Sequence, residues 1–83
     1  MDYSFTDRAL KQLEKLPRDV QARIIKKLDF YCLQKSPLDF AEPLTDRELG
    51  SYRFRIGDWR VVFDIEEGQI IVLLVGNRRD IYR

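Results

Sequence analysis

With 83 residues, 45% of them hydrophobic and 35% charged, the chain reads as one globular domain over residues 1–83, neither disordered nor large enough for two cores. A single cysteine, Cys32, excludes an internal disulfide; no apolar run can span a bilayer and MDYSFTDRAL lacks the regions of a signal peptide, so no membrane and the cytoplasm are expected. There is no histidine, the usual general acid–base and metal ligand, and no glycine-rich phosphate loop, so neither a metal nor another cofactor is expected.

In chain order, Asp2 to Phe5 read as a short strand. Thr6 is placed to cap a helix, with Asp7 in its first turn and Leu10, Leu13 and Leu16 at helical spacing. Pro17 ends that helix and suits the first position of the next. Val20, Ile24, Leu28 and Tyr31 form the apolar stripe of the second helix, flanked by Ile25 and Cys32. The two helices read as an antiparallel hairpin whose outer cations, Arg18, Arg23, Lys26 and Lys27, most simply solvate it. Residues 36–50, with Pro37, Pro43 and Gly50, read mostly as a connection that Leu44 and Leu49 pin to the core.

Three strands follow, at Tyr52–Ile56, Trp59–Ile65 and Gln69–Val75. Gly57-Asp58 is a two-residue hairpin loop, so Ile56 pairs with Trp59 and Arg55 lies across from Arg60. Tyr52, Phe54, Ile56, Trp59, Val61 and Phe63 then face the helices. Arg53, Arg55 and Arg60 share the opposite face, with Arg53 across from Val62. Like charges facing each other across a ladder are destabilising, which makes sense where an anion sits over them. The last strand, IIVLLV, is apolar on both faces and belongs in the sheet interior.

Net charge is only +1, but its distribution is uneven. Residues 1–35 carry eight Lys/Arg against five acids, residues 36–51 one against four, and residues 52–83 six against five. All six cations of the last segment are arginine, the side chain whose planar fork grips phosphate.

The α+β order β-α-α-β-β-β, an antiparallel-rich sheet on an N-terminal helical hairpin, combines with three motifs. They are Pro43-Leu44, the run YRFRIGDWRVVF from Tyr52 to Phe63, and VGNRRDIY from Val75 to Tyr82. Together they resemble the RelE/ParE superfamily of bacterial toxin–antitoxin systems. The RelE branch implies a metal-independent ribonuclease that cuts mRNA in the ribosome and is held inactive in a complex with a cognate antitoxin. By that resemblance Arg53 and Arg55 match basic positions that contact the RNA backbone. Arg60 matches the residue that stabilises the scissile phosphate. Arg78 matches a second catalytic arginine, and Tyr82 a tyrosine that orients the nucleotide or assists proton transfer. The expected catalytic set is Arg55, Arg60, Arg78 and Tyr82, with Arg53, Asn77 and Arg79 as RNA contacts.

The implied chemistry is attack of the RNA 2′-hydroxyl on the adjacent phosphate. The protein's tasks are alignment and stabilisation of a more anionic transition state, which several arginines suit. Proton transfer is the gap, because arginine stays protonated. Asn77 stands where many relatives have His or Lys. Strict alternation along Ile71, Leu73 and Val75 puts Asn77 and Arg79 on the arginine face, whereas the family pattern selects Arg78; a bend or bulge at Gly76 would switch the phase. Two other readings share the fold: a ParE-like toxin that blocks DNA gyrase, and a member that has lost activity and only binds its antitoxin.

Overall fold

The computed structural model describes residues 1–46 and 48–81. Strand β1 (Tyr3–Phe5) leads into helices α1 (Asp7–Glu14) and α2 (Arg18–Leu33), then a 3-10 turn (Pro37–Phe40). Strands β2 (Ala41–Pro43), β3 (Tyr52–Ile56), β4 (Trp59–Glu66) and β5 (Gln69–Asn77) complete the fold. The sheet order is β1-β5-β4-β3-β2, with β1 parallel to β5 and the remaining pairs antiparallel. The apolar last strand is interior, as its composition predicts, and two helices pack on one face of the mixed α+β sheet.

Local chemistry accounts for the helix ends. The Thr6 hydroxyl accepts from Ala9 N at 3.1 Å, a side-chain cap. Pro17 is the residue before the first turn of α2 rather than its first position. The Gln21 amide donates to Leu16 O and Glu14 O, covering carbonyls left open at the end of α1. Leu10 is largely exposed, and Ala9 with Leu13 forms the buried stripe of α1 instead.

The main core joins Leu13, Ile24, Leu28 and Tyr31 to Phe54, Val61, Phe63 and Val72. Within it Tyr31 stacks on Phe54 (centroids 4.3 Å apart) and Phe54 on Phe63 (4.5 Å). A second cluster lies on the other face of the sheet. There Leu44, Val62 and Leu74 are buried, with Leu49, Leu73 and Ile81 against them. Leu44 and Leu49 thus pin the connection to this second cluster. Ser51 N donates to Asp64 Oδ1 at 2.7 Å and fixes the loop's end. Gly50, at φ 155°, sits so close that a Cβ there would lie 2.5 Å from Val62 Cγ1, so no side chain fits.

Two expectations need correction. The connection contains a strand: β2 pairs antiparallel with β3, with Glu42 opposite Arg53. Three residues ending in proline give no periodicity to read, and the strand exists because β3 supplies its partners. The phase change in β5 also lies earlier than Gly76. Val62 pairs with Leu74 and Phe63 with Val72, leaving Leu73 as the extra residue of a bulge. Ile70 and Val72 face the helices before it, and Val75 does so after it.

Tyr3 ties β1 to α2, its hydroxyl donating to Asp29 Oδ1 at 2.6 Å. Burial, and then this hydrogen bond and the Asp29 charge, push the Tyr3 phenol up to about 12. A folded-state pKa above the unfolded value of about 10 gives stabilisation complete below pH ~10 and lost as pH rises towards 12. Burial raises the Tyr31 phenol and adds to the same slope. Urea midpoints should therefore fall between those pH values, and Tyr3→Phe should flatten part of that fall. An unchanged profile would show that the Tyr3 proton is not linked to folding.

Candidate functional site

The hairpin register is the one expected from the two-residue turn: Ile56 pairs with Trp59, Arg55 with Arg60 and Arg53 with Val62. Gly57 takes φ 61°, the left-handed conformation that such a turn requires. Arg53, Arg55 and Arg60 therefore share the face turned away from the helices, next to the second apolar cluster.

Their environments differ. Arg55 is exposed, whereas Arg60 is 6% exposed. Arg60 Nη1 donates to Gly57 O at 2.8 Å and to Trp59 O at 2.9 Å, which fixes its guanidinium against the hairpin turn. Its cross-strand neighbour in β5 is Gly76. Ile81 lies over that glycine, 3.7 Å from where a Cβ would stand, so the chain after β5 folds back towards the arginine face.

Glu42 was missed by the sequence reading. Its Oε1 is 3.4 Å from Arg55 Nε and its Oε2 is 3.4 Å from Arg53 Nη2. The anion inferred over the paired arginines is thus supplied in part from within, by the edge strand. Such partly exposed pairs contribute about 0–1 kcal/mol each, so an incoming phosphate can displace the carboxylate at little cost. The acidic excess of residues 36–51 was the only signal of it in the sequence.

The C-terminal candidates separate. Arg78 lies at the hairpin turn, its N donating to Asp58 O at 2.8 Å and its Nε 3.7 Å from Asp58 Oδ1. Asn77 is not on the arginine face. It pairs with Trp59, in phase with Val75, because the bulge at Leu73 has switched the alternation. The Asn77 side chain instead accepts from Arg79 N at 3.0 Å, closing the turn after β5. Arg79 is exposed on that turn and does not continue the strand. Tyr82 lies outside the described residues. Tyr52 and Trp59 pack against the main core, as alternation predicts, with Tyr52 stacked on Phe63 at 5.6 Å.

The arginine face has three guanidinium groups, one partly exposed carboxylate and an apolar floor at Val62 and Leu74. That combination can bind an anionic backbone and hold a phosphate beside a proton acceptor. Among the described residues no group of His, Cys, Asp and Glu side chains is arranged to hold a metal ion, and no helix is long and apolar enough to cross a membrane.

This architecture and its motif place the protein among small toxins of toxin–antitoxin systems. Residues 3–82 match the family described as the ParE toxin of the type II toxin–antitoxin system parDE, and the chain belongs to that family, within the RelE/ParE superfamily. Toxin RelG of Mycobacterium tuberculosis (strain ATCC 25618 / H37Rv) is 33% identical over 81 residues, which span 95% of this chain and 92% of that protein. The toxin–antitoxin complex RelBE2 of Mycobacterium tuberculosis contains a chain that superposes with a TM-score of 0.74 at 28% identity, covering 93% of this chain and 96% of that one. The RelB–RelE antitoxin–toxin complex of Methanococcus jannaschii gives a TM-score of 0.72 at 21% identity over 94% and 93% of the two chains, a likeness of fold.

Proposed function

We propose that this toxin is a ribosome-dependent mRNA endonuclease of the RelE type, restrained by a cognate antitoxin. One observation carries the reading: Arg55 and Arg60 face each other across the hairpin, with Arg53 on the same face. Stability alone disfavours that opposition, and binding of a phosphate rewards it.

In the proposed reaction the RNA 2′-oxygen forms a bond to the adjacent phosphorus and the bond to the 5′-oxygen breaks. The products are a 2′,3′-cyclic phosphate and a 5′-hydroxyl. Arg60, held by the turn carbonyls, and Arg55 stabilise the charge that builds on the phosphate. Arg53 aligns the backbone, Arg78 approaches from the hairpin end, and Tyr82 orients the nucleotide. Glu42 fills the gap in proton transfer: once the phosphate draws the arginines away, its carboxylate accepts the 2′-hydroxyl proton. The departing 5′-oxygen takes a proton from water. Few protein groups are thus asked to transfer protons, so the geometry of the ribosome-bound message matters and free RNA is cut poorly.

Primer extension on a reporter mRNA in a translating extract tests this, with and without ribosomes. New 5′ ends that require both ribosomes and Arg60 are expected. Glu42→Gln should slow single-turnover cleavage about 10²-fold, within the range of general base catalysis, without weakening RNA binding. Equal cleavage by that variant would remove Glu42 from the proton path.

A second reading has its own support. The matched family is that of the ParE toxin, and Arg60 serves the hairpin turn structurally. If the message stays intact while the protein arrests growth, inhibition of gyrase supercoiling becomes the measurement that decides.

A further inference from the structure

The end of β5 carries the turn that brings Arg78 to the hairpin and Ile81 over Gly76, yet little of the sheet holds it. On one side β1 pairs only with Ile70, Ile71 and Val72. The Thr6 N–H donates to Val72 O at 3.0 Å just past the last of those pairs, and the chain then turns into α1. From Leu73 onward β5 has no partner strand on this side. On the other side the ladder with β4 is interrupted at the same point, where Leu73 is the extra residue of the bulge. Residues 74–77 are therefore joined to the sheet through β4 alone, directly after a break in that ladder.

Gln12 takes the place of the missing strand. Its Oε1 accepts from Val75 N at 2.9 Å, a hydrogen bond between residues 63 positions apart in the sequence. Helix α1 comes close enough because its inward side is Ala9, small and fully buried, with Leu13 beside it. Val75 is 3% exposed, so its N–H is out of reach of water, and a buried N–H without an acceptor is costly. Gln12 is itself half-buried, one turn after Ala9, where an apolar side chain would bury more apolar area. The bond to Val75 accounts for an amide at that position.

We propose that Gln12 is a positioning residue for the site: its side chain holds the end of β5, and through it the Arg78 turn, against the Arg55–Arg60 hairpin. The inference rests on the nuclease reading above and adds the residue that sets where the C-terminal arginine stands. The connection is short. Gly76, the residue after Val75, is the cross-strand neighbour of Arg60. Asn77 O then accepts from Ile81 N at 3.0 Å to close the turn, and Arg78 N donates to Asp58 O at 2.8 Å. Gln12 lies on the helix side of the sheet, away from the arginine face, so it acts through this turn. What it contributes is an acceptor, and a carboxylate at the same reach supplies one as well.

The test is a double-mutant cycle on the full-length chain. Gln12→Met keeps the length of the side chain and removes the acceptor, whereas Gln12→Glu keeps the acceptor. In Gln12→Met, exchange of the Val75 amide should quicken about tenfold relative to the amides of α2, the change expected from one lost hydrogen bond. At equal folded concentration, the maximal single-turnover rate of ribosome-dependent cleavage should fall about tenfold, while the ribosome concentration giving half that rate stays the same. Gln12→Glu should restore both. In an Arg78→Ala background, Gln12→Met should cost less than about twofold more, because the residue it positions is gone.

Unchanged exchange at Val75 in Gln12→Met would overturn the inference, as would faster exchange with cleavage at the wild-type rate. Equal losses with and without Arg78 would overturn it too, leaving Gln12 a purely structural residue. So would a Gln12→Glu variant as impaired as Gln12→Met, since the acceptor would then not be what matters. A wild type that cuts no mRNA removes the nuclease reading instead. The exchange measurement is untouched by that result, and growth arrest becomes the activity scored in the same cycle.

Discussion

Alanine at Arg55 should lower ribosome-dependent mRNA cleavage by about 10²-fold, the scale of losing one preorganised group that stabilises developing charge. Its folded stability should stay within about 0.5 kcal/mol of wild type. Two small effects oppose each other there. The variant loses an exposed pair with Glu42 and gains relief from the like charge of Arg60. Arg60→Ala should behave differently, because Arg60 is buried and donates to two turn carbonyls. It should lose cleavage to a similar or greater degree and also lose about 3–6 kcal/mol of stability, since its two hydrogen bonds come from a charged group and contribute about 1.5–3 kcal/mol each. Cleavage is to be compared at equal folded concentration, with urea midpoints for both variants. If Arg55→Ala cuts mRNA at the wild-type rate, the paired arginines are not the phosphate site.

Phe54→Ala should cost about 3–5 kcal/mol, the usual range for truncating a fully buried phenylalanine. A domain of this kind has only about 5–15 kcal/mol of stability in total. The variant should therefore be close to unfolding at physiological temperature, and its urea midpoint is the measurement. Phe54 is fully buried and stacked between Tyr31 and Phe63, so its loss opens a gap in the middle of the aromatic ladder. Phe54→Leu, which keeps most of the volume, should cost much less. A small cost for the alanine variant would mean that the neighbouring rings close the gap.

The two predictions draw on features that were unequally visible beforehand. The opposition of Arg55 and Arg60 follows from a two-residue Gly57-Asp58 turn and a period of two, both local properties of about a dozen residues. The helices were legible for a similar reason, since Val20, Ile24, Leu28 and Tyr31 repeat at helical spacing within one element. Leu10 misled because Ala9, a small residue, occupies the buried position beside β5. Glu42 was invisible as a site residue. It belongs to a three-residue strand whose ladder partner is β3, beyond the intervening loop.

By itself, the sequence determined the order of β1, the two helices and the last three strands, the hairpin register and the grouping of Arg53, Arg55 and Arg60 on one face, because short-range geometry decides each of these. Tertiary structure decided the rest of the site. The bulge at Leu73 exists because Leu74 must pack under the Leu44–Leu49 loop on one face while Val75 fills the helix-side core on the other. Neighbouring residues of a regular strand point to opposite faces, so meeting both demands after Val72 takes one extra residue. That single residue carries Asn77 to the helix side, and the turn that Asn77 opens folds Ile81 back over Gly76. No local pattern in IIVLLV records it, since every residue there is apolar and either phase reads equally well.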